Sequence, residues 1–293
     1  MAEGGAVSEP ATAKINLFLR VLRARPDGFH DIESLVQPVT LADGVQARPA
    51  DQLSLTVVGE GARDVPWDEG NLVLRAAEVL AGAGGVAAGA ALLLQKRIPV
   101  AAGLGGGSAD AAATLRALDR LWELDLGVEG LLDVAATVGS DVPGLLSGGP
   151  ALIGGRGDRV VARATPRTWW VLVTQPEGVA AGDAYRWWDE DGGVTGPSPE
   201  VLIRALDAGG PRAIAPHLFN DLEAPVTARR PDVAEARSRL LDAGALTALM
   251  CGSGPTVAGL ARDGQDAEQL AAAVGGIAVA SMSGGPRAEQ RGS

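Results

Sequence analysis

Residue types that build disulfides, zinc centres and aromatic cores are scarce in this 293-residue chain. There is one cysteine, Cys251, so an intrachain disulfide cannot form, and with only two histidines a zinc site is not expected. A single cysteine is typical of a reducing cytoplasm, which is the location we expect. Aromatic residues make up 3% of the chain and hydrophobic residues 46%, so a sizeable core must consist mostly of Ala, Val and Leu.

The sequence also has no long hydrophobic run and no excess of positive charge. Its longest apolar stretch, around residues 86–94, is too short and too often interrupted by glycine to span a bilayer. No basic region followed by an apolar run opens the chain, so we expect no signal peptide. The net charge of −11 repels nucleic acid and anionic membrane surfaces, so we expect neither as a partner.

Lysine is rare as well: of 25 basic residues, only Lys14 and Lys96 are lysines. Biased codon usage that favours arginine is one explanation. The other is that arginine cannot replace these two lysines, because an ammonium is a compact point charge and a guanidinium is a broad planar fork. The sequence leaves both explanations open.

The strongest motif is a glycine-rich segment between a strand predicted at 90–95 and a helix predicted to begin at Ser108. Four glycines in five positions remove side chains where backbone N–H groups would approach a ligand closely. The first N–H groups of the helix and the positive end of its dipole favour an anion there, usually phosphate. We predict a phosphate-binding loop that consists of Pro99, Val100, Ala101, Ala102, Gly103, Leu104, Gly105, Gly106, Gly107, Ser108 and Ala109.

Two common phosphate motifs do not describe this loop. A dinucleotide fingerprint needs G-x-G-x-x-G, and Ser108 stands where its third glycine belongs. A Walker loop needs a lysine before the serine or threonine, and Gly107 occupies that position. A plain tight turn is the alternative, but four clustered glycines before a helix favour a phosphate cradle.

Alternation and helical spacing predict interleaved strands and helices in both halves of the chain, which indicates an α+β fold. In the strand predicted at 12–21, Lys14 and Asn16 share the face opposite the aliphatic residues. The other expectations used below are a disordered tail at 1–9, strands at 32–39 and 45–48 separated by an Asp43-Gly44 turn, a helix N-cap at Asn71, a surface loop at 188–198 and a helix at 231–243.

Residues 140–143, with the sequence SDVP, read as another helix start, with the serine as its cap and the proline in the first turn. Asp141 therefore lies at a helix N-terminus, where a carboxylate can simply stabilise the helix. Taken singly, Lys14 and His30 equally fit an exposed strand lysine and a turn histidine.

Three segments in order, 14–17 (KINL), 99–109 and 252–255 (GSGP), resemble the three motifs of the GHMP kinase superfamily, which includes galactokinase, homoserine kinase, mevalonate kinase and phosphomevalonate kinase. Residues 27–30 (DGFH) and 139–143 (GSDVP) are similar to motifs of the members that act on a cytidine diphosphate-linked small molecule. No single motif is decisive, but five in the right order are specific. The resemblance covers nearly the whole chain.

The resemblance implies a fold and a reaction. The fold has two α+β domains, a nucleotide-binding N-terminal domain at 1–160 and a C-terminal α/β sandwich domain at 161–293, and a composition break near residue 160 agrees with this division. The reaction is phosphorylation by ATP, with Mg2+, of the 2-hydroxyl of 4-diphosphocytidyl-2-C-methyl-D-erythritol in the non-mevalonate isoprenoid route. We expect a monomer or a weak homodimer.

The resemblance also implies roles for individual residues. Lys14 and Asp141 match the catalytic lysine and aspartate of the family, and the loop at 99–109 matches its phosphate loop. We expect Lys14 and Asp141 to converge beside the terminal phosphoryl group of ATP, with Asp141 as the general base and Lys14 keeping it ionised. The matching substrate-side residues are Asn16, Phe29 and His30, and the adenine-side residues are Asn71 and Lys96.

The chain departs from the family pattern at three places. One of them is Gly144, which stands where the family often has an aromatic residue. Phe29 replaces a frequent tyrosine, which preserves stacking on a pyrimidine but loses a hydroxyl group. Residues 179–182 (VAAG) lack the Ser or Thr that the family tends to place there, so no substrate contact is assigned to them. Two alternatives stay open: another small-molecule kinase of the superfamily, such as homoserine kinase, and a catalytically inactive nucleotide-binding sensor.

Overall fold

Eleven strands and ten α-helices are interleaved in residues 5–66 and 70–283, which a computed structural model describes. The strands are β1 (Val7–Ala24), β2 (His30–Pro49), β3 (Ser54–Gly59), β4 (Ala90–Lys96), β5 (Ala151–Gly155), β6 (Arg159–Ala162), β7 (Trp169–Val173), β8 (Phe219–Asn220), β9 (Thr247–Met250), β10 (Val257–Ala261) and β11 (Ile277–Ala280). The helices are α1 (Leu72–Gly84), α2 (Gly106–Leu121), α3 (Gly127–Val138), α4 (Val142–Leu146), α5 (Ala181–Glu190), α6 (Glu200–Ala208), α7 (Pro211–Ile214), α8 (Glu223–Arg229), α9 (Pro231–Asp242) and α10 (Gly264–Val274). This mixture confirms the predicted α+β class.

The chain forms two compact units that interleave along the sequence. Among the described residues, the first unit consists of 5–13, 41–66, 70–100 and 105–146. The second unit consists of the described residues 14–40, 101–104 and 147–283. The division at residue 160 that the family implies stays a prediction.

In the first unit, β4 lies between two partner strands. It pairs in parallel with β3 and antiparallel with β2, where Val45 lies opposite Leu94. Helices α1 to α4 pack against one another. Residues 111–113 of α2 are alanines with no exposed surface, and such small side chains let helices approach closely. The scarcity of aromatic residues is thus matched by a tightly packed alanine core.

The second unit is organised around a four-stranded antiparallel sheet with the order β11-β7-β10-β9. Helices α9 and α10 pack on this sheet, and their apolar faces join Val171 and Val257 in one core. Outside this sheet, β5 pairs antiparallel with residues 32–36 of β2, and β8 pairs in parallel with β1 at Phe18 and Leu19. These pairings position the residues of β1 and β2 that carry the first motif and its supports.

The tail predicted at 1–9 is wrong at 7–9, because β1 already begins at Val7, and residues 1–4 of this prediction lie outside the described residues. Glu9 is buried and explains why this part of the chain is ordered. Its carboxylate accepts a hydrogen bond from Arg116 Nε at 2.9 Å and another from Arg120. These ion pairs join β1 to α2. Because the paired residues are distant in sequence, a local sequence pattern does not predict them.

The predicted turn at Asp43-Gly44 is also wrong, since β2 runs through it without a break. Asp43 instead uses its carboxylate to bind backbone N–H groups of another segment. The Asp43 carboxylate accepts hydrogen bonds from the backbone N–H groups of Arg97 and Ile98 instead of closing a turn of its own chain. The side chain therefore caps the end of a neighbouring strand.

Helix α2 begins earlier than predicted, and helix α4 begins later. Helix α2 begins at Gly106 rather than at Ser108, because its N-cap Gly105 takes the left-handed conformation with φ of 70° and the next two glycines are helical. Helix α4 begins at Val142, so the residue before it is Asp141 and not the serine. The proline lies in the first turn of α4, as predicted.

Other helix boundaries follow the sequence more closely. Helix α1 begins after Asn71, as predicted, and the helix predicted at 231–243 is α9. The predicted surface loop at 188–198 begins inside α5, where Trp188 is buried, so its first residues are helical. Within the two described ranges, no helix combines the length and the apolar character needed to cross a membrane.

Candidate active site

Lys14 and Asn16 lie side by side on one face of β1 in the second unit, as the alternation predicts. Lys14 Nζ donates a hydrogen bond to Asn16 Oδ1 at 2.8 Å and another to the carbonyl oxygen of Gly103 at 2.8 Å. The Lys14 backbone N–H donates to the carbonyl oxygen of Leu104 at 3.0 Å. The lysine of the first motif is thus tied to the middle of the predicted phosphate loop by both its side chain and its backbone.

A chain of hydrogen bonds fixes the Asn16 amide. Asn16 Nδ2 donates to Ser34 Oγ at 2.8 Å, and Ser34 Oγ donates to the carbonyl oxygen of Phe18 at 2.7 Å. Because the hydroxyl gives its only proton to Phe18, it must accept from the amide, and the amide then presents its oxygen to Lys14. Ser34 is 1% exposed, and no sequence signal marked it as part of the site.

Two glycines let the third motif approach this lysine. Gly252 has a φ of 54°, and a Cβ placed on it would lie 2.7 Å from Lys14 Nζ. Gly103 has a φ of 76°, and its Cβ would lie 2.2 Å from the carbonyl oxygen of Cys251. Both positions combine a left-handed backbone with a close approach, so both require glycine. The structure therefore brings together the first motif, the middle of the loop and the third motif.

Asn220 fixes the backbone on both sides of Cys251, the buried residue that directly precedes the third motif. Asn220 Nδ2 donates to the carbonyl oxygens of Met250 at 2.9 Å and Gly252 at 2.7 Å. Burial raises the pKa of the Cys251 thiol to about 12, although the charge of Lys14 acts in the opposite direction. A neutral, buried thiol is not a nucleophile, so Cys251 is a packing residue here. Asn220 lies in a two-residue strand, and sequence reasoning missed it.

The C-terminal part of the predicted loop belongs to the first unit, at the start of α2. The first N–H groups of this helix, at Gly106, Gly107 and Ser108, have no carbonyl partner within the helix. Gly107 is exposed, and a Cβ on it would meet only Leu72, at 3.8 Å. A Cβ on Gly106 would lie 3.4 Å from Lys96 Nζ. Bare backbone donors at a helix start match the predicted anion site.

Lys96 lies between two carboxylates in the first unit. Its Nζ donates to Asp110 Oδ2 at 2.8 Å and to Asp43 Oδ2, and all three residues are buried. Burial raises the pKa of Asp110 to about 7, since it outweighs the attraction of Lys96, and the charge of Asp43 adds to the rise. Burial alone would lower the pKa of Lys96, but the two carboxylates outweigh it and raise that pKa.

Asn71 and Asp141 also lie in the first unit. Asn71 is buried: its Nδ2 donates to the carbonyl oxygen of Pro66 at 2.7 Å, and its Oδ1 accepts from the Val73 N–H at 2.9 Å. Asp141 is exposed and directly precedes α4. The adenine-side roles of Asn71 and Lys96 and the base role of Asp141 stay predictions, as does the convergence of Asp141 with the first-motif lysine.

In the second unit, Phe29 and His30 directly follow a turn at residues 26–28. Phe29 is 47% exposed, and the Arg156 guanidinium lies 5.6 Å from its ring centroid. His30 stacks on Tyr185 with ring centroids 4.9 Å apart, and its Nε2 lies 3.1 Å from both carboxylate oxygens of Asp189. An exposed ring beside an ordered histidine suits a planar base. Tyr185 and Asp189 were missed because α5 was not predicted.

Two family models match the chain. The GHMP kinases N terminal domain matches residues 71–153, and the GHMP kinases C terminal domain matches residues 202–284. A crystal structure of homoserine kinase from Cytophaga hutchinsonii is 19% identical with a TM-score of 0.69, over 97% of this chain and 96% of that one. At this identity the similarity shows the fold alone. The fold and the matched domains define a kinase of the GHMP class.

Closer relatives define the family within this class. The 4-diphosphocytidyl-2-C-methyl-D-erythritol kinase of Pelotomaculum thermopropionicum is 47% identical over 89% of this chain and 91% of its own. The corresponding kinase of Deinococcus radiodurans is 46% identical over 90% of this chain and 87% of its own. A crystal structure of 4-(cytidine 5'-diphospho)-2C-methyl-D-erythritol kinase is 35% identical with a TM-score of 0.78, over 95% of this chain and 100% of that one. The chain belongs to the 4-diphosphocytidyl-2-C-methyl-D-erythritol kinase family.

Proposed function

We propose that this chain transfers the γ-phosphoryl group of ATP to the 2-hydroxyl of 4-diphosphocytidyl-2-C-methyl-D-erythritol, in the non-mevalonate route to isoprenoids. The observation that carries the proposal is the 47% identity to the Pelotomaculum kinase over 89% of this chain. The site around Lys14 supports it, because phosphoryl transfer depends on positioned charge and hydrogen-bond donors rather than on covalent chemistry by the protein.

Lys14 supplies positive charge to the transferred group. Its ammonium is oriented by the Asn16 amide oxygen and the Gly103 carbonyl oxygen, which carry no net charge of their own. These acceptors fix the direction of the cation. A cation fixed in advance stabilises the negative charge of the transition state without reorganisation during the reaction.

Asp141 acts as the general base. The substrate hydroxyl oxygen bonds to the γ-phosphorus, its proton passes to the Asp141 carboxylate, and the bond to the leaving ADP breaks. The exposure of Asp141 supports the role, because a substrate can reach it.

The loop at 99–109 binds the ATP phosphates through the N–H groups at the start of α2. When bound, Mg2+ would neutralise charge on the phosphate oxygens. Among the described residues, no group of three or more His, Cys, Asp or Glu side chains could hold a metal ion. Phosphate oxygens and water would supply most of the Mg2+ ligands, as is usual for a cation that keeps part of its hydration shell.

The remaining predicted residues divide between the two substrates. Phe29 stacks on the cytosine ring, His30 hydrogen-bonds to it, and Asn16 lies near the reacting hydroxyl. Asn71 and Lys96 lie on the adenine side. A cytoplasmic location, where ATP is present and thiols stay reduced, and a monomeric or weakly dimeric state complete the proposal.

An ADP-release assay with ATP and Mg2+ tests this function with three acceptors: 4-diphosphocytidyl-2-C-methyl-D-erythritol, homoserine and cytidine diphosphate. We expect release only with the first. Release with homoserine but not with the cytidine compound would assign the chain to another GHMP kinase. ATP binding without release with any acceptor would indicate a nucleotide sensor. Either of these results contradicts the proposal.

A further inference from the structure

Asp43 is buried, and its carboxylate contacts the residues that directly precede the phosphate loop. Its Oδ1 accepts hydrogen bonds from the backbone N–H groups of Arg97 and Ile98, the second at 2.8 Å, and its Oδ2 accepts from Lys96 Nζ. One carboxylate thus binds donors from three consecutive residues. The loop starts at the next residue, Pro99, so Asp43 fixes the chain at the N-terminal end of the loop.

Lys96 also contacts the residue that follows the other end of the loop. Its Nζ donates to Asp110 Oδ2 at 2.8 Å, and Asp110 directly follows the last loop residue. The side chains of Asp43, Lys96 and Asp110 are 0%, 2% and 4% exposed. Charged hydrogen bonds so well shielded from water are strong, and leaving one partner alone is costly. The network therefore joins the residues that flank the loop on both sides.

The geometry points to Asp43 as a positioning residue for the nucleotide: it holds the Lys96 ammonium and the chain at 97–98 so that both ends of the phosphate loop keep the spacing that ATP requires. Asp43 does not touch the nucleotide and acts through Lys96. The inference rests on the proposed function only in taking residues 99–109 as the phosphate loop.

Asp43→Asn separates this role from simple packing. Asparagine has nearly the same shape, and its Oδ1 can still accept from the two backbone N–H groups. Its Nδ2 would face the Lys96 ammonium donor to donor. Lys96→Met removes the ammonium and keeps an apolar stem of similar length. The double variant then tests whether Asp43 acts through Lys96.

The Kd for ATP is measured by calorimetry without an acceptor, followed by kcat and the KM of each substrate. We expect Asp43→Asn to raise the Kd and the KM for ATP by about tenfold or more, with kcat at saturating ATP and the KM of the acceptor within about twofold of wild type. Adding Asp43→Asn to Lys96→Met should change the Kd by less than about twofold. The control is Asp242→Asn, a change of an exposed carboxylate at the end of α9.

An unchanged Kd for ATP, or effects that multiply in the double variant, would overturn the inference, and so would a loss confined to kcat. If Asp43→Asn does not fold, Asp110→Asn decides instead, because it removes the charge that holds Lys96 at the other end of the loop without changing a residue proposed to lie at the nucleotide. A raised Kd for ATP in Asp110→Asn supports the inference and an unchanged Kd contradicts it. Since this Kd needs no acceptor, the inference can hold even if the cytidine compound proves not to be the substrate.

Discussion

Gly252 lies so close to Lys14 that no side chain fits between them. A Cβ at this glycine would lie 2.7 Å from Lys14 Nζ and 3.4 Å from Asn16 Oδ1. The third motif therefore lies directly against the Lys14 ammonium. The ammonium can occupy this position only because residue 252 has no side chain.

Gly252→Ala is expected to lower kcat by about 100-fold, because a displacement of the ammonium by about an ångström misaligns it with the reacting group. Gly275→Ala is the matched control, since Gly275 also has a left-handed φ of 66° but a Cβ there meets nothing within 4 Å. Both variants should lose about 1–2 kcal/mol of stability from backbone strain, and Gly252→Ala should lose more because its Cβ would also lie 2.9 Å from the carbonyl oxygen of Gly103. Steady-state kinetics and thermal unfolding distinguish the two effects. Similar kcat values for the two variants would show that the contact with Lys14 does not matter.

Asp141→Asn is expected to lower kcat by about 10²- to 10⁴-fold, the usual range for loss of a general base. Because Asp141 is exposed, the melting temperature of the variant should stay close to that of wild type. Asp242→Asn changes another exposed carboxylate and should leave kcat unaltered. Turnover of Asp141→Asn within about threefold of wild type would remove Asp141 from the chemistry.

Asp110→Asn should change how stability depends on pH. Burial raises the pKa of Asp110 to about 7, whereas in the unfolded chain it is about 3.9. Between these values the folded chain keeps a proton that the unfolded chain has lost, so this group makes stability fall as pH rises from about 4 to about 7 and adds no further change above that. The variant should therefore gain in melting temperature relative to wild type across this interval. Parallel curves for the two proteins would contradict the assignment.

Phe29→Ala should raise the KM for the cytidine substrate by roughly 10- to 100-fold, because stacking of a base on an aromatic ring contributes about 1–3 kcal/mol. The KM for ATP should not change, since ATP is proposed to bind elsewhere. Phe29→Tyr keeps the ring and should behave like wild type. Kinetics with each substrate varied in turn provide the check, and a rise in the KM for ATP of the same size would refute the cytidine role.

Local chemistry predicted the elements whose signals lie within a few residues. Alternation in 12–21 predicted β1 and the shared face of Lys14 and Asn16, and the cap at Asn71 predicted the start of α1. The prediction at Asp43-Gly44 is wrong because the donors that satisfy Asp43 lie at the end of β4 and in the two residues after it, which are distant in sequence. A turn signal records a preference of the short chain segment, and tertiary hydrogen bonds can override it.

The site was predictable where a motif carries the residue and not where packing supplies it. The lysine and the glycines of the loop belong to recognisable motifs. Ser34, Asn220 and Asp110 carry no motif of their own, yet they orient an amide, a turn and an ammonium. Such supporting residues are defined by hydrogen-bond geometry, which becomes visible only in three dimensions.

The most direct test of the proposed reaction is 31P NMR of the products formed by the wild-type chain from ATP, Mg2+ and 4-diphosphocytidyl-2-C-methyl-D-erythritol. The account predicts one new phosphomonoester, coupled to the 2-position of the methylerythritol, with the cytidine diphosphate bridge intact and one ADP for each ester. A mixture without that ester, or with the phosphate on another hydroxyl, would contradict it.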